Sequence, residues 1–158
     1  MKIIKISIFL MILLISCSRV KTYTREYIEK YKPDITIKSG SIDNISLKDI
    51  TLNVLIEIKN NLPFELPIEK IEINLINNSG KVFANSNSEE NGEIIKIPSN
   101  SYKDINIKFN AKYADIFETA IDAIKSESLK CNGDITLTFS VSKMKFKFNY
   151  NTEINLLK

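Results

Sequence analysis

The sequence predicts a mainly β protein: an antiparallel sandwich with one short helix late in the chain. Three observations carry this. Several runs alternate apolar and polar residues with a period of two, the mark of a strand with one buried face. Turn signals rich in Asn, Gly and Pro separate these runs. One later segment switches to the 3.6-residue period of an amphipathic helix. Many strands with one apolar face each pair antiparallel and stack around one core.

The first element precedes the sandwich. Met1-Lys2-Ile3-Ile4-Lys5 carries two positive charges, and Ile6 to Ile15 is apolar apart from Ser7. A basic start, a short apolar stretch and a small residue at the cut site describe a secretory signal peptide. The stretch is about half the roughly 20 residues a membrane-spanning helix needs. Leu14-Ile15-Ser16-Cys17 resembles the bacterial lipobox, in which cleavage precedes the cysteine and that cysteine becomes the acylated N-terminus. Ser16 is small enough for a peptidase pocket, and the Cys17 thiol can form the thioether to lipid. The expected division is a lipoprotein signal peptide over 1–16, a lipidated N-terminus and tether over 17–33, and one β-sandwich domain over 34–158. Acyl chains such as palmitate would then hold the chain to a membrane.

The tether is polar and basic. Arg19, Lys21, Arg25, Lys30 and Lys32 outnumber Glu26 and Glu29. Its reading is either a plain solvated linker or a spacer with weak attraction to an anionic membrane face. Tyr23, Tyr27 and Tyr31 recur at every fourth position, which allows a short helix with an aromatic stripe.

After Pro33 the period becomes two. Ile50, Leu52, Val54, Ile56 and Ile58 alternate with Thr51, Asn53, Leu55, Glu57 and Lys59. Ile71, Ile73 and Leu75 repeat the pattern, as do Ile105, Ile107, Phe109 and Ala111. Ile135, Leu137, Phe139 and Val141 form the next apolar row. The longest row is Met144, Phe146, Phe148, Tyr150, Ile154 and Leu156, opposed by Lys145, Lys147, Asn149, Asn151, Glu153 and Asn155. Phe139, Phe146 and Phe148 are expected to be buried between the sheets. Weaker strands are expected near Ile35–Ile45, Lys81–Ser86 and Glu93–Ile97. Turns are expected at Ser39-Gly40-Ser41, Asn60-Asn61-Leu62-Pro63, Asn77-Asn78-Ser79-Gly80, Asn91-Gly92 and Asn132-Gly133.

The helix is expected near residues 115–127. Ile116, Phe117, Ala120, Ile121 and Ile124 make its apolar stripe. Asp115 can cap the first turn, with Glu118 three residues later reaching back. The stripe should cover an open end or edge of the sandwich. Phe117 and Ile121 are the candidate lid residues if an apolar ligand is held there.

Composition excludes several functions. Cleavage before Cys17 leaves 142 of the 158 residues, which suits one domain with a real core. That chain balances 20 basic against 19 acidic side chains, which is no electrostatic footprint for nucleic acid. With Cys17 lipidated only Cys131 remains, so no intramolecular disulfide can form; Cys131 is read as a small buried apolar residue. The chain has no histidine, which removes Ser-His-Asp and Cys-His catalysis. Its four glycines are too scattered for a phosphate-cradling loop.

The segment Ile56-Glu57-Ile58-Lys59-Asn60-Asn61-Leu62-Pro63-Phe64-Glu65-Leu66-Pro67-Ile68, followed by Glu72-Ile73-Asn74-Leu75, resembles the late-embryogenesis-abundant type 2 family, also called the WHy domain. Ile97-Pro98, Tyr113-Ala114-Asp115 and Lys130-Cys131-Asn132-Gly133 add to the resemblance, which covers roughly Asp34 to Leu156. The chain departs from it at Asn60-Asn61, where the family usually has Asn-Pro. The resemblance implies a fibronectin-like sandwich of about seven strands with one helix. It implies no catalytic residues, an association with stress and, for bacterial members, a lipoprotein of the cell envelope.

Three other constellations are weaker. Lys143, Lys145 and Lys147 alternate with Met144, Phe146 and Phe148, so basic and aromatic groups fall on opposite faces; this suits a solvated edge better than a nucleic-acid reader. Asp115, Glu118 and Asp122 lack a calcium-loop pattern. Glu89-Glu90 lies in a polar loop and names no catalytic partner. The expected function is therefore a non-enzymatic, membrane-tethered binding or stress-protective module of the bacterial envelope, exported and lipid-anchored. The alternative is a carrier of an apolar ligand or lipid, and a carboxylate-based enzyme ranks below both. No catalytic residue, cofactor, metal or nucleic-acid partner is assigned. A monomer is expected, its envelope protein or lipid partner unidentified.

Overall fold

Period-two alternation builds eight strands: β1 (Asp34–Ile45), β2 (Asp49–Lys59), β3 (Leu66–Ile76), β4 (Val82–Asn87), β5 (Ile95–Ile97), β6 (Tyr102–Lys112), β7 (Lys130–Val141) and β8 (Met144–Asn155). The computed structural model describes residues 24–46, 49–87, 94–112 and 130–156. All pairings among the described residues are antiparallel. One sheet has the order β1-β2-β6; the other has β4-β3-β7-β8, with β5 also pairing β3. The protein is a mainly β, antiparallel sandwich.

The apolar rows read from the sequence fill the space between the sheets. Leu52, Val54, Ile56 and Ile58 of β2 are buried, as are Ile68, Ile71, Ile73 and Leu75 of β3. Ile107, Phe109 and Ala111 come from β6, and Ile135, Leu137 and Phe139 from β7. Each fully buried Leu, Ile or Phe contributes about 1.5–3 kcal/mol relative to exposure. Phe139 anchors an aromatic cluster, with ring centroids 5.6 Å from Phe146 and 5.8 Å from Phe148. Phe148 is only half-buried, against the expectation of full burial. It sits on β8, the last strand in its sheet's order.

Two expected turns are not turns. Ser39-Gly40-Ser41 lies inside β1, and Asn132-Gly133 lies inside β7. Both glycines serve close approach instead. A Cβ on Gly40 would stand 2.8 Å from the Asn155 carbonyl oxygen, and one on Gly133 would stand 2.6 Å from Ile154 Cδ1. The tight connection between β7 and β8 falls at Ser142-Lys143, both at positive φ (50° and 67°). Positive φ at both central residues defines the hairpin turn whose twist matches that of the flanking strands.

The chain divides into two compact units, residues 1–32 and 33–158. In the first, residues 24–30 form a short helix, α1. Arg25 and Glu29 pair across one turn at 3.0 Å, and the Tyr31 N–H donates to the Tyr27 carbonyl at 3.1 Å. The expected helix near 115–127 lies outside the described residues.

Candidate functional site

Cys17, Phe117 and Ile121 lie outside the described residues, as do Glu89, Glu90, Asp115, Glu118 and Asp122. The described domain contains three places of chemical interest.

The first is the loop after β2. Asn60 is fully buried. Its side-chain amide donates to the carbonyls of Phe64 (2.8 Å), Ile97 (3.1 Å) and Pro98 (3.0 Å). Two N–H groups are thus shared among three acceptors. Its Oδ1 accepts from the Leu62 N–H at 3.0 Å, and its own N–H donates to the Ser101 carbonyl at 2.8 Å. Ser99 Oγ adds a bond to the Leu62 carbonyl at 3.1 Å. This cluster is a structural clamp: each bond satisfies a backbone group, that of Ile97 fully buried.

The second is the outward face of the β4-β3-β7-β8 sheet. Two shallow depressions lie there, with volumes of about 400 Å³ and about 350 Å³. Glu72, Asn74, Asn85, Ser86, Thr136 and Lys147 line the first. Asn74 and Thr136 continue into the second, with Asp134, Asn149 and Asn151. Thr136 Oγ1 donates to Asn149 Oδ1 across the β7–β8 pair at 3.0 Å. Carboxamides and hydroxyls in this density can exchange hydrogen bonds with a polar partner. Lys145 and Lys147 stand on this polar side of β8 and Phe146 on the core side, as the alternation predicts.

The third comprises two separate ionisable groups, the buried Cys131 and the half-buried Tyr150. Cys131 is 2 % exposed, and burial pushes its thiol up to about 12. Such a thiol stays protonated and unreactive near neutral pH. Tyr150 is raised above its usual range by burial and by the nearby Asp34 carboxylate, and its hydroxyl donates to the Pro33 carbonyl. Among the described residues no cluster of three or more acidic or cysteine side chains is placed to hold a metal. No described helix is long and apolar enough to cross a membrane.

Sequence reasoning missed the two depressions. Strand parity tells which residues face outward, but their grouping depends on strand order.

These features define an antiparallel β-sandwich with a clamped end and a polar sheet face. Among solved structures, the chain is similar to a protein from Archaeoglobus fulgidus, with 11% identity and a TM-score of 0.55 over 78% of this chain and 98% of that one. It is similar to a protein from Arabidopsis thaliana, with 14% identity and a TM-score of 0.51 over 77% of this chain and 80% of that one. At these identities the likeness shows the fold alone. A protein assigned to the late embryogenesis abundant (LEA) group matches more loosely, with 16% identity and a TM-score of 0.43 over 90% of this chain and 83% of that one. No family model and no curated protein matches the sequence.

Proposed function

We propose that the chain is a non-enzymatic module of the bacterial cell envelope, exported through residues 1–16 and held to a membrane by lipid on Cys17. The observation that carries this reading is Leu14-Ile15-Ser16-Cys17, placed directly after a basic and then apolar start. The sandwich would stand beyond the tether and present its surfaces to envelope partners. The resemblance of Ile56–Ile68 to the LEA type 2 pattern supports a binding or stress-protective role of that kind, and a β-sandwich is the fold that resemblance implies. The test is Cys17→Ser. One acyl chain gives marginal binding and two give stable anchoring, so loss of the attachment residue should release the protein or leave it unprocessed. Unchanged mass and unchanged membrane fractionation of Cys17→Ser would overturn the anchor.

A further inference from the structure

We propose that Tyr27 and Lys30 of α1, with Tyr31 directly after it, form a docking face for the anionic phospholipid headgroups of the membrane that carries the Cys17 lipid, an inference that rests on the anchor proposed above. Helix α1 is two-sided. Ile28 is fully buried, whereas Tyr27 and Tyr31 are 44% and 38% exposed. Their rings lie 4.7 Å apart, and the Lys30 ammonium sits 5.3 Å from the centre of the Tyr31 ring. An amphipathic ring with a polar tip, beside a cation on a long apolar stem, suits the headgroup layer.

Two further facts select the occupant. The first is reach. Six residues separate Thr24 from Cys17, and the seven steps between their Cα atoms span at most about 25 Å when extended. A lipidated Cys17 therefore keeps α1 close enough to lie on the bilayer surface. The second is charge. The segment from Ser18 to Pro33 carries Arg19, Lys21, Arg25, Lys30 and Lys32 against Glu26 and Glu29. The Arg25–Glu29 pair neutralises one charge of each sign, and the remaining excess is basic. Basic residues next to a lipid anchor supply the second signal that a weakly held chain needs.

The chain contains no tryptophan, so Tyr31→Trp creates a unique fluorophore. The acylated protein carrying Tyr31→Trp is reconstituted into vesicles containing phosphatidylglycerol and lipids brominated near the headgroup. The expected result is a blue-shifted emission quenched by bromine, relieved by high salt and weaker in purely zwitterionic vesicles. Adding Lys30→Gln should lower the ratio of docked to undocked protein about fivefold. Tyr27→Trp repeats the measurement should the first substitution disturb the helix. Proteins that float with the vesicles while both fluorophores stay unquenched would overturn the docking face. So would equal quenching in anionic and zwitterionic vesicles. Failure to float at all would count against the anchor, and the docking face would fall with it.

Discussion

Two asparagines, Asn60 and Asn77, are buried at opposite ends of the sandwich and hold those ends together in different ways. Asn60 follows β2 and binds carbonyls 37 and 38 residues further along the chain. Asn77 follows β3 and binds groups of its own turn. Its Oδ1 accepts from the Ser79 N–H (3.1 Å), the Ser79 hydroxyl (2.7 Å) and the Lys81 N–H (2.8 Å). Its backbone N–H donates to the Lys81 carbonyl at 3.0 Å, and its carbonyl accepts from Gly80 N–H at 3.0 Å. The same side chain therefore acts as a tertiary clamp at one end and as a local turn former at the other. What differs is the distance in sequence to the groups satisfied, and that distance decides whether losing the side chain loosens a turn or the domain.

The scale for these effects is set by the core. Phe139→Ala should lower stability by about 3–5 kcal/mol in chemical denaturation, because it empties the centre of the aromatic cluster. Asn60→Ala should approach that value, at about 3 kcal/mol, since four backbone groups, two of them buried, lose partners at once. A cost under about 1 kcal/mol would break the comparison, because water would then be replacing the clamp. Asn77→Ala should cost about 1 kcal/mol, the usual worth of a local capping or turn bond.

Cys131 offers a sharper test, since it lies near the Asn77 end, beside Asn132, which pairs with Ile76. Thiol labelling should be slow in the native protein. Asn77→Ala should speed it through local opening that denaturant hardly affects. Asn60→Ala should speed it only through global unfolding, with full denaturant dependence. The same thiol fixes a pH trend. The folded state holds the Cys131 proton to about 12, while the reference value is 9.0, so the folded state binds more protons between them. Stability is therefore fully present below pH 9 and falls as pH rises towards 12, and Cys131→Ala should flatten that fall. The smallest effect is expected from Lys145→Ala, under about 0.5 kcal/mol, because its side chain stands on the exposed side of β8.

Much of the sandwich was legible in the sequence because burial imposes a period of two. The alternation in β2 and β8 keeps its parity in the structure, with Ile50, Met144, Phe148 and Tyr150 of the apolar rows only half-buried. The misreadings share one cause. Glycine marks both a turn and a close approach, and Gly40 and Gly133 are the second kind. Conversely, Ser142-Lys143 adopts positive φ without the Asn or Gly that usually announces it. Asn60 was legible as a turn residue but not as a clamp, because Ile97 and Pro98 become its neighbours only once the sheets have assembled. Cys17 stands the other way round: its proposed role is written wholly in the local sequence.

The Ser142-Lys143 turn has a consequence for how fast the chain folds. β7 and β8 pair over twelve consecutive positions without a register shift, from Lys130↔Asn155 to Val141↔Met144. A two-residue connection makes this the most local pairing among the described strands, and local pairings cost the least loop closure. The hairpin is therefore the natural starting point for folding, yet its turn forces two side-chain-bearing residues into the left-handed region. Replacing the pair with Asn-Gly should speed refolding in stopped-flow measurements and leave the unfolding rate nearly unchanged. The speed of assembly would then be limited by two φ angles in a surface turn rather than by the core.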